Sequence, residues 1–505
     1  MRCCLKTPSF HPKRLSLQVK TFYMDFESNF WEDEQHGLIN RFEDMLKEER
    51  MEYFDVNEFV DIIDYYLDFF QNSQAVNAID LALKFHPSSA EILVKKAQAL
   101  LLKSDLNKAA EVLRAAQSLD ESNAEIYVYW GAYFLKRGQI REAKKSFSEA
   151  ISKSDKESLV DIYYLISRAY RMESMFDETI RYLIDIYKLE PDNTDVMFEL
   201  ASTYREIEDY EEEINLYDEA LDKDPFEELV WYQKGNAHWE LGQIVEAVDA
   251  FEFSIAIDPQ FTLPVVDLAD LYIDQGMYQK AIDVLLYYLV FDTEMVTIYC
   301  FLAECYMKLG NYDKSIETYE KALVIDSEYS PVWFGIGEVY FNEQQYHESY
   351  LYIRKALKIN PEKGIYWRHL GVVQMELGFE RHALRSFERA TNYAPNDKES
   401  WLLRFVSCYF GQGIDSAYKV VCQAIELFQS EAEFYFYKTA CLIEKEEIPA
   451  AEQSFVQALT LNKEAFDDFA IFYPKIFAFD NFKILINTFI TRDNTNENVS
   501  GDLLT

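Results

Sequence analysis

The sequence predicts an all-α solenoid of about twelve 34-residue helix–turn–helix repeats, with a helical cap at each end. Three observations support this fold class. Small and large residues recur at fixed places with a period of 34 residues. Gly and Pro recur at the places where helices would end. Finally, twelve copies of the pattern keep the same register, which a chance match would not do.

The clearest copy of the repeat runs from Glu228 to Phe261. Numbered from 1 at Glu228, it has Gly235 at position 8, Ala247 at position 20 and Phe251 at position 24. Every interval between starts is 34 residues except one of 36. The same frame defines repeats 1 to 12, which start at Val56, Ala90, Ala124, Val160, Thr194, Glu228, Thr262, Val296, Ser330, Gly364, Lys398 and Ala432.

Each repeated position has a physical role. Small residues at positions 8 and 20 let two antiparallel helices approach closely, and large residues fill the space between repeats. Gly at position 15 suits a left-handed residue that closes the first helix, as in Gly138, Gly242, Gly276, Gly310 and Gly378. Pro at position 32 ends the second helix, as in Pro87, Pro191, Pro225, Pro259, Pro361 and Pro395.

Five residues depart from this pattern, each without breaking the period. They are Ile63, Phe405 and Thr439 at position 8, Glu213 at position 20 and Tyr288 at position 27. We expect the local packing to differ at these places.

Residues 56 to about 465 resemble the tetratricopeptide repeat family on these positions. The resemblance implies a right-handed superhelical solenoid in which the first helices line a concave groove. It also implies that positions 2, 5, 9 and 12 face that groove. Carried onto the middle repeats, these positions give a partner-binding set of Tyr232, Asn236, Trp239, Asp270, Glu304, Phe334, Glu338 and Arg368.

Composition narrows the function classes. The 505 residues carry a formal net charge of −39, which repels nucleic acid phosphates and anionic membranes. About 18 consecutive apolar residues would be needed for a membrane helix, and we find no such run. Seven scattered Cys argue against a disulfide framework and favour a reducing, cytoplasmic compartment. We therefore expect no nucleic acid partner and no membrane insertion.

The two ends differ from the repeats. Residues 1–23 contain five Lys or Arg and no acid, and we interpret them as a flexible basic extension ahead of an alternative start at Met24. An organelle-targeting peptide is the less favoured alternative. We expect an N-terminal helical cap over residues 24–55, the twelve repeats over 56–465, a C-terminal helical cap over 466–490 and a disordered tail over 491–505.

No motif for chemistry accompanies the repeats. The sequence lacks a phosphate-binding loop, a dinucleotide fingerprint, a zincin motif and a Gly-flanked nucleophilic Ser. The seven His are dispersed, and His238 takes a position that Tyr usually holds. We therefore predict no catalytic residue, no cofactor and no metal, and we do not expect an enzyme.

These expectations converge on a protein-interaction scaffold or adaptor that binds a neutral or basic protein segment with apolar anchors. Related chaperone cofactors hold an acidic carboxyl-terminal tail with Lys, Arg and Asn on their groove helices. Here position 5 has no Lys, so we expect no clamp for acidic chaperone tails. The alternative function is a non-catalytic regulatory or assembly subunit of an enzyme or envelope-assembly complex.

Overall fold

The computed structural model describes residues 33–47, 51–293 and 295–490. Within them the chain forms α-helices, one short 3₁₀ helix and no strand, which confirms the all-α repeat fold. The expected extension (1–23) and tail (491–505) lie outside the described residues, as do 24–32 and 48–50 of the expected N-terminal cap. The described chain divides into an N-terminal unit up to Asp258 and a C-terminal unit from Pro259.

The N-terminal unit contains α1 and repeats 1 to 6, each repeat a pair of helices. Its helices are α1 (Asp33–Lys47), α2 (Val56–Asp68), α3 (Asn72–Phe85), α4 (Ala90–Leu102), α5 (Leu106–Leu119), α6 (Ala124–Lys136), α7 (Ile140–Lys153), α8 (Leu159–Met172), α9 (Phe176–Leu189), α10 (Thr194–Glu206), α11 (Tyr210–Lys223), α12 (Glu228–Glu240) and α13 (Ile244–Ile257).

The C-terminal unit contains repeats 7 to 12 and the closing helices. Its helices are α14 (Thr262–Asp274), α15 (Tyr278–Tyr288), α16 (Val296–Lys308), α17 (Tyr312–Ile325), α18 (Ser330–Asn342), α19 (Tyr346–Ile359), α20 (Gly364–Glu376), α21 (Glu380–Tyr393), α22 (Lys398–Gly411), α23 (Ile414–Leu427), α24 (Ala432–Glu444), α25 (Ile448–Leu461), α26 (Phe466–Phe472), a 3₁₀ helix (Pro474–Ala478) and α27 (Asp480–Ile490). Eleven of the twelve first helices begin at the predicted repeat start, and α8 begins at Leu159, one residue before Val160.

The close approach of the two helices in a repeat depends on the small residue at position 8. A Cβ built on Gly131 would lie 2.2 Å from the ring of Phe147, which is the large residue at position 24 of the same repeat. Gly371 and Phe387 repeat this arrangement at 2.5 Å. Because no Cβ tolerates such contacts, glycine at these two places lets the aromatic ring fill the space between the helices.

The turn inside each repeat uses a left-handed residue, as the Gly pattern predicts. Gly138 and Gly242 have φ of +70° and +71°. In six other repeats a non-glycine residue takes this conformation at position 15, namely Phe70, Ser104, Ser174, Glu208, Gln344 and Glu446. In repeat 11 it moves to Gly413, at position 16. An L-residue with a side chain is strained there by about 1–2 kcal/mol.

Glu213, which departs from the small residues of position 20, is wholly buried in repeat 5. Arg205 reaches it from position 12 of the same repeat, and its Nε donates to Oε1 at 3.0 Å. Tyr217 donates a further hydrogen bond to the same oxygen at 3.2 Å. An ion pair between Arg205 and Glu213 therefore replaces the usual contact of small residues at this place.

Tyr288 also departs from the pattern for a visible reason. Its hydroxyl lies 2.6 Å from Thr262 Oγ1 and 3.4 Å from the sulfur of Met295. It is the last residue of α15, which has 11 residues where other second helices have 14. The large ring fills the space that a longer helix with a small residue fills elsewhere.

Aromatic side chains close both ends of the described repeats. In α1, Phe42 packs edge-on against Phe54 and Phe59, at centroid distances of 5.7 and 6.2 Å. In α26, Phe469 stacks on Phe436 of repeat 12 at 5.0 Å. Among the described helices, none combines the length and the apolar run needed to cross a membrane.

Candidate protein-binding surface

The candidate surface lies on the first helices of the repeats. In the N-terminal unit α2, α4, α6 and α8 contact one another in series, and in the C-terminal unit α14, α16 and α18 do the same. We call the side of the first helices that carries positions 6 and 9 the inner face. Consecutive first helices present a continuous surface there, which is the geometry that a long protein segment requires.

Side chains on the inner face meet in a regular way. Position 6 of one repeat contacts position 9 of the repeat before it. Lys95 Nζ lies 2.8 Å from Asp64 Oδ2, and the hydroxyl of Tyr129 donates to Gln98 Oε1 at 2.8 Å. In the C-terminal unit His369 Nδ1 lies 3.5 Å from Glu338 Oε1. The family resemblance missed position 6, although the constant separation of 31 residues between partners is visible in the sequence.

In the N-terminal unit some contacts of the first helices pair opposite charges. Besides Lys95 and Asp64, Arg168 Nη2 lies 3.4 Å from Asp68 Oδ1, which joins repeats 4 and 1. Burial alone would lower the pKa of Lys95, but Tyr129 and Asp64 outweigh it and raise the pKa. The ammonium group is therefore held charged between its partners.

Arg171 extends the same network along the N-terminal unit. Its Nη2 lies 2.7 Å from Glu206 and 3.1 Å from the hydroxyl of Ser202, and its Nη1 lies 3.4 Å from Glu199. These cations are engaged by acids of the same chain. Lys95, Arg168 and Arg171 of this unit are thus all held in internal ion pairs.

Three residues of the predicted partner-binding set lie in the N-terminal unit, all on α12. Tyr232 is buried, with 3% of its surface exposed, and packs against Phe251. Asn236 and Trp239 are half-buried, and the indole of Trp239 lies edge-on to Phe251 at 6.2 Å. Of the three, Asn236 and Trp239 have side-chain surface that a partner could contact.

The C-terminal unit carries acids at position 9 of repeats 7, 8 and 9. These are Asp270, Glu304 and Glu338, which we call the acidic stretch. Asp270 and Glu338 are half-buried, and Glu304 is buried. Asp267 and Asp274 lie on the same helix as Asp270, at spacings that put all three on one side of α14.

Within the acidic stretch, Glu304 perturbs Glu338. Burial, with a further contribution from the charge of Glu304, raises the pKa of Glu338 to about 8. The neighbouring His369 does not offset this with a positive charge, because burial and nearby Arg368 lower its pKa to about 3. At neutral pH the contact between His369 and Glu338 therefore joins a neutral imidazole to a largely protonated carboxyl.

The two remaining predicted residues are buried. Phe334 has no exposed surface and stacks on Tyr366 at a centroid distance of 4.5 Å. Arg368 is 5% exposed, and its guanidinium faces Asp397, at 3.3 Å from Nε, and Glu399. Both side chains contribute to packing between repeats in this conformation.

Beyond Glu338 the inner face changes character. Position 9 is Val372 in repeat 10 and Val406 in repeat 11, both half-buried, and the neighbouring Phe410 is 61% exposed. We call Val372, Val406 and Phe410 the apolar stretch. Within the described residues, no group of three or more His, Cys, Asp or Glu is arranged to hold a metal ion.

Comparison with known families agrees with this architecture. Family models described as tetratricopeptide repeat match residues 60–124, 164–228, 198–260, 296–329 and 330–363. The matched segments of the chain are tetratricopeptide repeats. All five matched segments lie within the twelve repeats defined above.

Three solved structures illustrate a distant similarity to this chain. The APC/C hetero-tetramer Cut9–Hcn1 is 16% identical, with 77% of this chain and 90% of that chain covered and a TM-score of 0.38. Yeast Tom70 is 12% identical, with coverage of 88% and 96% and a TM-score of 0.44. YrrB, described as having an unusual peptide-binding site, is 22% identical, with coverage of 38% and 97% and a TM-score of 0.31. Likenesses of this degree carry no functional argument, and no curated protein matches the chain.

Proposed function

We propose that this protein is a scaffold or adaptor that binds a neutral or basic protein segment with apolar anchors on the inner face of its repeats. The observation that carries the proposal is the position-9 column of the C-terminal unit, where Asp270, Glu304 and Glu338 are followed by Val372 and Val406. Carboxylates favour Lys or Arg in a partner, and the valines favour an aliphatic or aromatic side chain.

The physical basis of the affinity is a preformed surface. The packed first helices fix the positions of the side chains before a partner arrives, so little ordering of the scaffold opposes binding. A cation placed beside the acidic stretch would also relieve the repulsion among its carboxylates. Binding would then favour the ionised form of Glu338, whose pKa is raised to about 8 in the unbound protein.

The same surface disfavours acidic ligands. Position 5 contributes Tyr232, Cys300 and Phe334 to the middle repeats, and Arg368 faces Asp397 and Glu399. We therefore propose that acidic chaperone tails and nucleic acids are not ligands. Micromolar binding of a peptide with an acidic carboxyl terminus, measured by titration, would refute this part of the proposal.

We also propose a cytoplasmic location. Among the described residues Cys300, Cys305, Cys408, Cys422 and Cys441 are free thiols, and three of them are buried. Unpaired thiols are compatible with the reducing conditions of a cytoplasm. Fractionation of cells that express the tagged full chain would test this location.

The experiment compares partner capture by the full chain and by two charge variants. The first carries Asp270→Lys and Asp274→Lys on the inner face of α14, where both side chains have exposed surface. The matched control carries Asp313→Lys and Glu320→Lys on the second helix α17, where both side chains are exposed. Both variants change the net charge by the same amount. A difference in partner capture between them therefore shows that the position of the replaced acids matters.

We expect proteins captured by the unaltered chain and by the control variant to be lost from the inner-face variant. Circular dichroism should show equal helix content in all three chains. Equal capture by both variants would contradict the proposed surface and direct attention to the second helices or to the ends.

A further inference from the structure

The inner face of the C-terminal unit changes from acidic to apolar along its length. Position 9 reads Asp270, Glu304 and Glu338 in repeats 7 to 9, and then Val372 and Val406 in repeats 10 and 11. The change occurs within one repeat, between Glu338 and Val372. A surface with opposite preferences at its two ends can distinguish the two directions of a bound segment.

The apolar end already holds an aromatic ring of the chain itself. Phe472, from α26, lies 5.3 Å from Tyr409 and 5.9 Å from Phe410 of repeat 11, and 4.8 Å from Tyr437 of repeat 12. These three residues hold positions 12, 13 and 6 on the first helices α22 and α24. Independently of any charge, this contact shows that the inner face accommodates an aromatic side chain at this end.

Apolar surface remains exposed beside that ring. Phe410 is 61% exposed and Ile471, the neighbour of Phe472, is 74% exposed. Val372 and Val406 continue this surface toward the acidic stretch. Exposed apolar groups that adjoin a seated aromatic ring favour a second aromatic or aliphatic side chain at the same place.

We propose that this face binds an extended protein segment in one direction, with a Lys or Arg at the half-buried Asp270 or Glu338 and an aromatic or large aliphatic residue at Val372, Val406 and Phe410. The inference rests on the proposed function and specifies its partner. Charge complementarity identifies the cation, and continuity with the Phe472 contact identifies the apolar anchor.

The repeat geometry sets the separation between the two anchors. First helices in contact lie about 10 Å apart. Two helix intervals separate Glu338 from Val406 and three separate Asp270 from Val372, which is about 20–30 Å. Since an extended chain advances about 3.3 Å per residue, the cation and the apolar anchor should lie about six to nine residues apart.

The test is a selection of displayed random peptides of about twelve residues on the full chain, a length that spans both stretches. The same selection is made on two variants with nearly unchanged side-chain shape. One, called the Gln variant, carries Asp270→Asn and Glu338→Gln, and the other, called the Thr variant, carries Val372→Thr and Val406→Thr. Thermal unfolding of each variant, followed by circular dichroism, controls for loss of structure.

We expect the full chain to enrich peptides with Lys or Arg about six to nine residues from Trp, Phe or Leu, in one order along the peptide. The Gln variant should lose the cation preference and keep the apolar one, and the Thr variant should do the reverse. For one enriched peptide, each variant should weaken binding at least about tenfold.

The outcomes separate this inference from the function on which it rests. Peptides that bind the inner face with no fixed spacing, or in both orders, would overturn the bipartite segment and leave the proposed function intact. Enriched peptides whose affinity is unchanged in both variants, or the absence of enrichment, would overturn both.

Discussion

The inner faces of the two units have the same helical geometry and opposite electrostatic character. In the N-terminal unit Lys95 and Arg168 meet Asp64 and Asp68 across neighbouring or distant repeats. In the C-terminal unit the equivalent contact joins Glu338 to a neutral His369. The contact between positions 6 and 9 therefore joins opposite charges in one unit, at Lys95 and Asp64, and a carboxyl and a neutral imidazole in the other.

This difference in charge pairing indicates which part of a repeat protein is available for binding. Charges that are matched within the chain are already engaged, and displacing them would cost the energy of their ion pairs. Acids that repel one another gain from an external cation. The comparison therefore assigns a stabilising role to the charges of one unit and a binding role to those of the other.

The largest expected effect tests the stabilising role in the N-terminal unit. Arg205→Ala leaves Glu213 buried without its guanidinium partner, and we expect a loss of about 3–5 kcal/mol in the free energy of unfolding. The double change Arg205→Ala with Glu213→Ala restores the small residue of position 20 and should recover most of the loss. Urea unfolding measures both, and equal losses in the single and double variants would contradict the ion-pair account.

The next effect tests the unfavourable burial of acid in the C-terminal unit. Glu338 has a pKa of about 8 in the folded chain, above the ordinary glutamate value of 4.5. Between pH 4.5 and pH 8 the Glu338 carboxyl is protonated in the folded chain and ionised in the unfolded chain. The stability that this carboxyl contributes is therefore fully present below pH 4.5 and is lost as pH rises through 8.

Glu338→Gln should remove this dependence of stability on pH. At pH 9 the variant should unfold at a higher urea concentration, with a free energy of unfolding at least about 1 kcal/mol above that of the unaltered chain. Lys95→Met in the N-terminal unit should lower stability at the same pH, because it leaves Asp64 without its cation. If Glu338→Gln is destabilising at pH 9, the contrast between the units is wrong.

The smallest effect concerns the turns rather than the charges. In the N-terminal unit Glu208 holds the left-handed conformation with φ of +61°, where Gly242 in the next repeat has φ of +71°. Glu208→Gly should stabilise the chain by about 1 kcal/mol, and Gly242→Ala should destabilise it by a similar amount. A shift in the same direction for both variants, measured by thermal unfolding, would show that the conformation is not the cause.

The sequence predicts the helix pairs because each repeat needs small residues at positions 8 and 20 and a left-handed residue near position 15. It does not predict that Arg205 and Glu213 form a pair, because Glu213 alone is only a departure from the pattern and nothing in the sequence marks Arg205 as its partner. Nor does it separate Asp270, which has accessible surface, from Phe334, which has none, because both hold positions that the family resemblance assigns to the groove. Their difference comes from the neighbouring repeat, where Tyr366 covers Phe334.

The most direct test of the central claim compares the two inner faces against one ligand. A peptide enriched on the full chain is titrated calorimetrically into that chain and into two variants, each with two neutralised acids. One carries Asp270→Asn and Glu338→Gln in the C-terminal unit. The other carries Asp61→Asn and Asp195→Asn, which are also half-buried acids on first helices, in the N-terminal unit.

We expect the C-terminal variant to bind at least about tenfold more weakly and the N-terminal variant to stay within about twofold of the unaltered chain. Loss of binding in the N-terminal variant alone, or an equal loss in both, would contradict the assignment of the binding surface to the C-terminal unit.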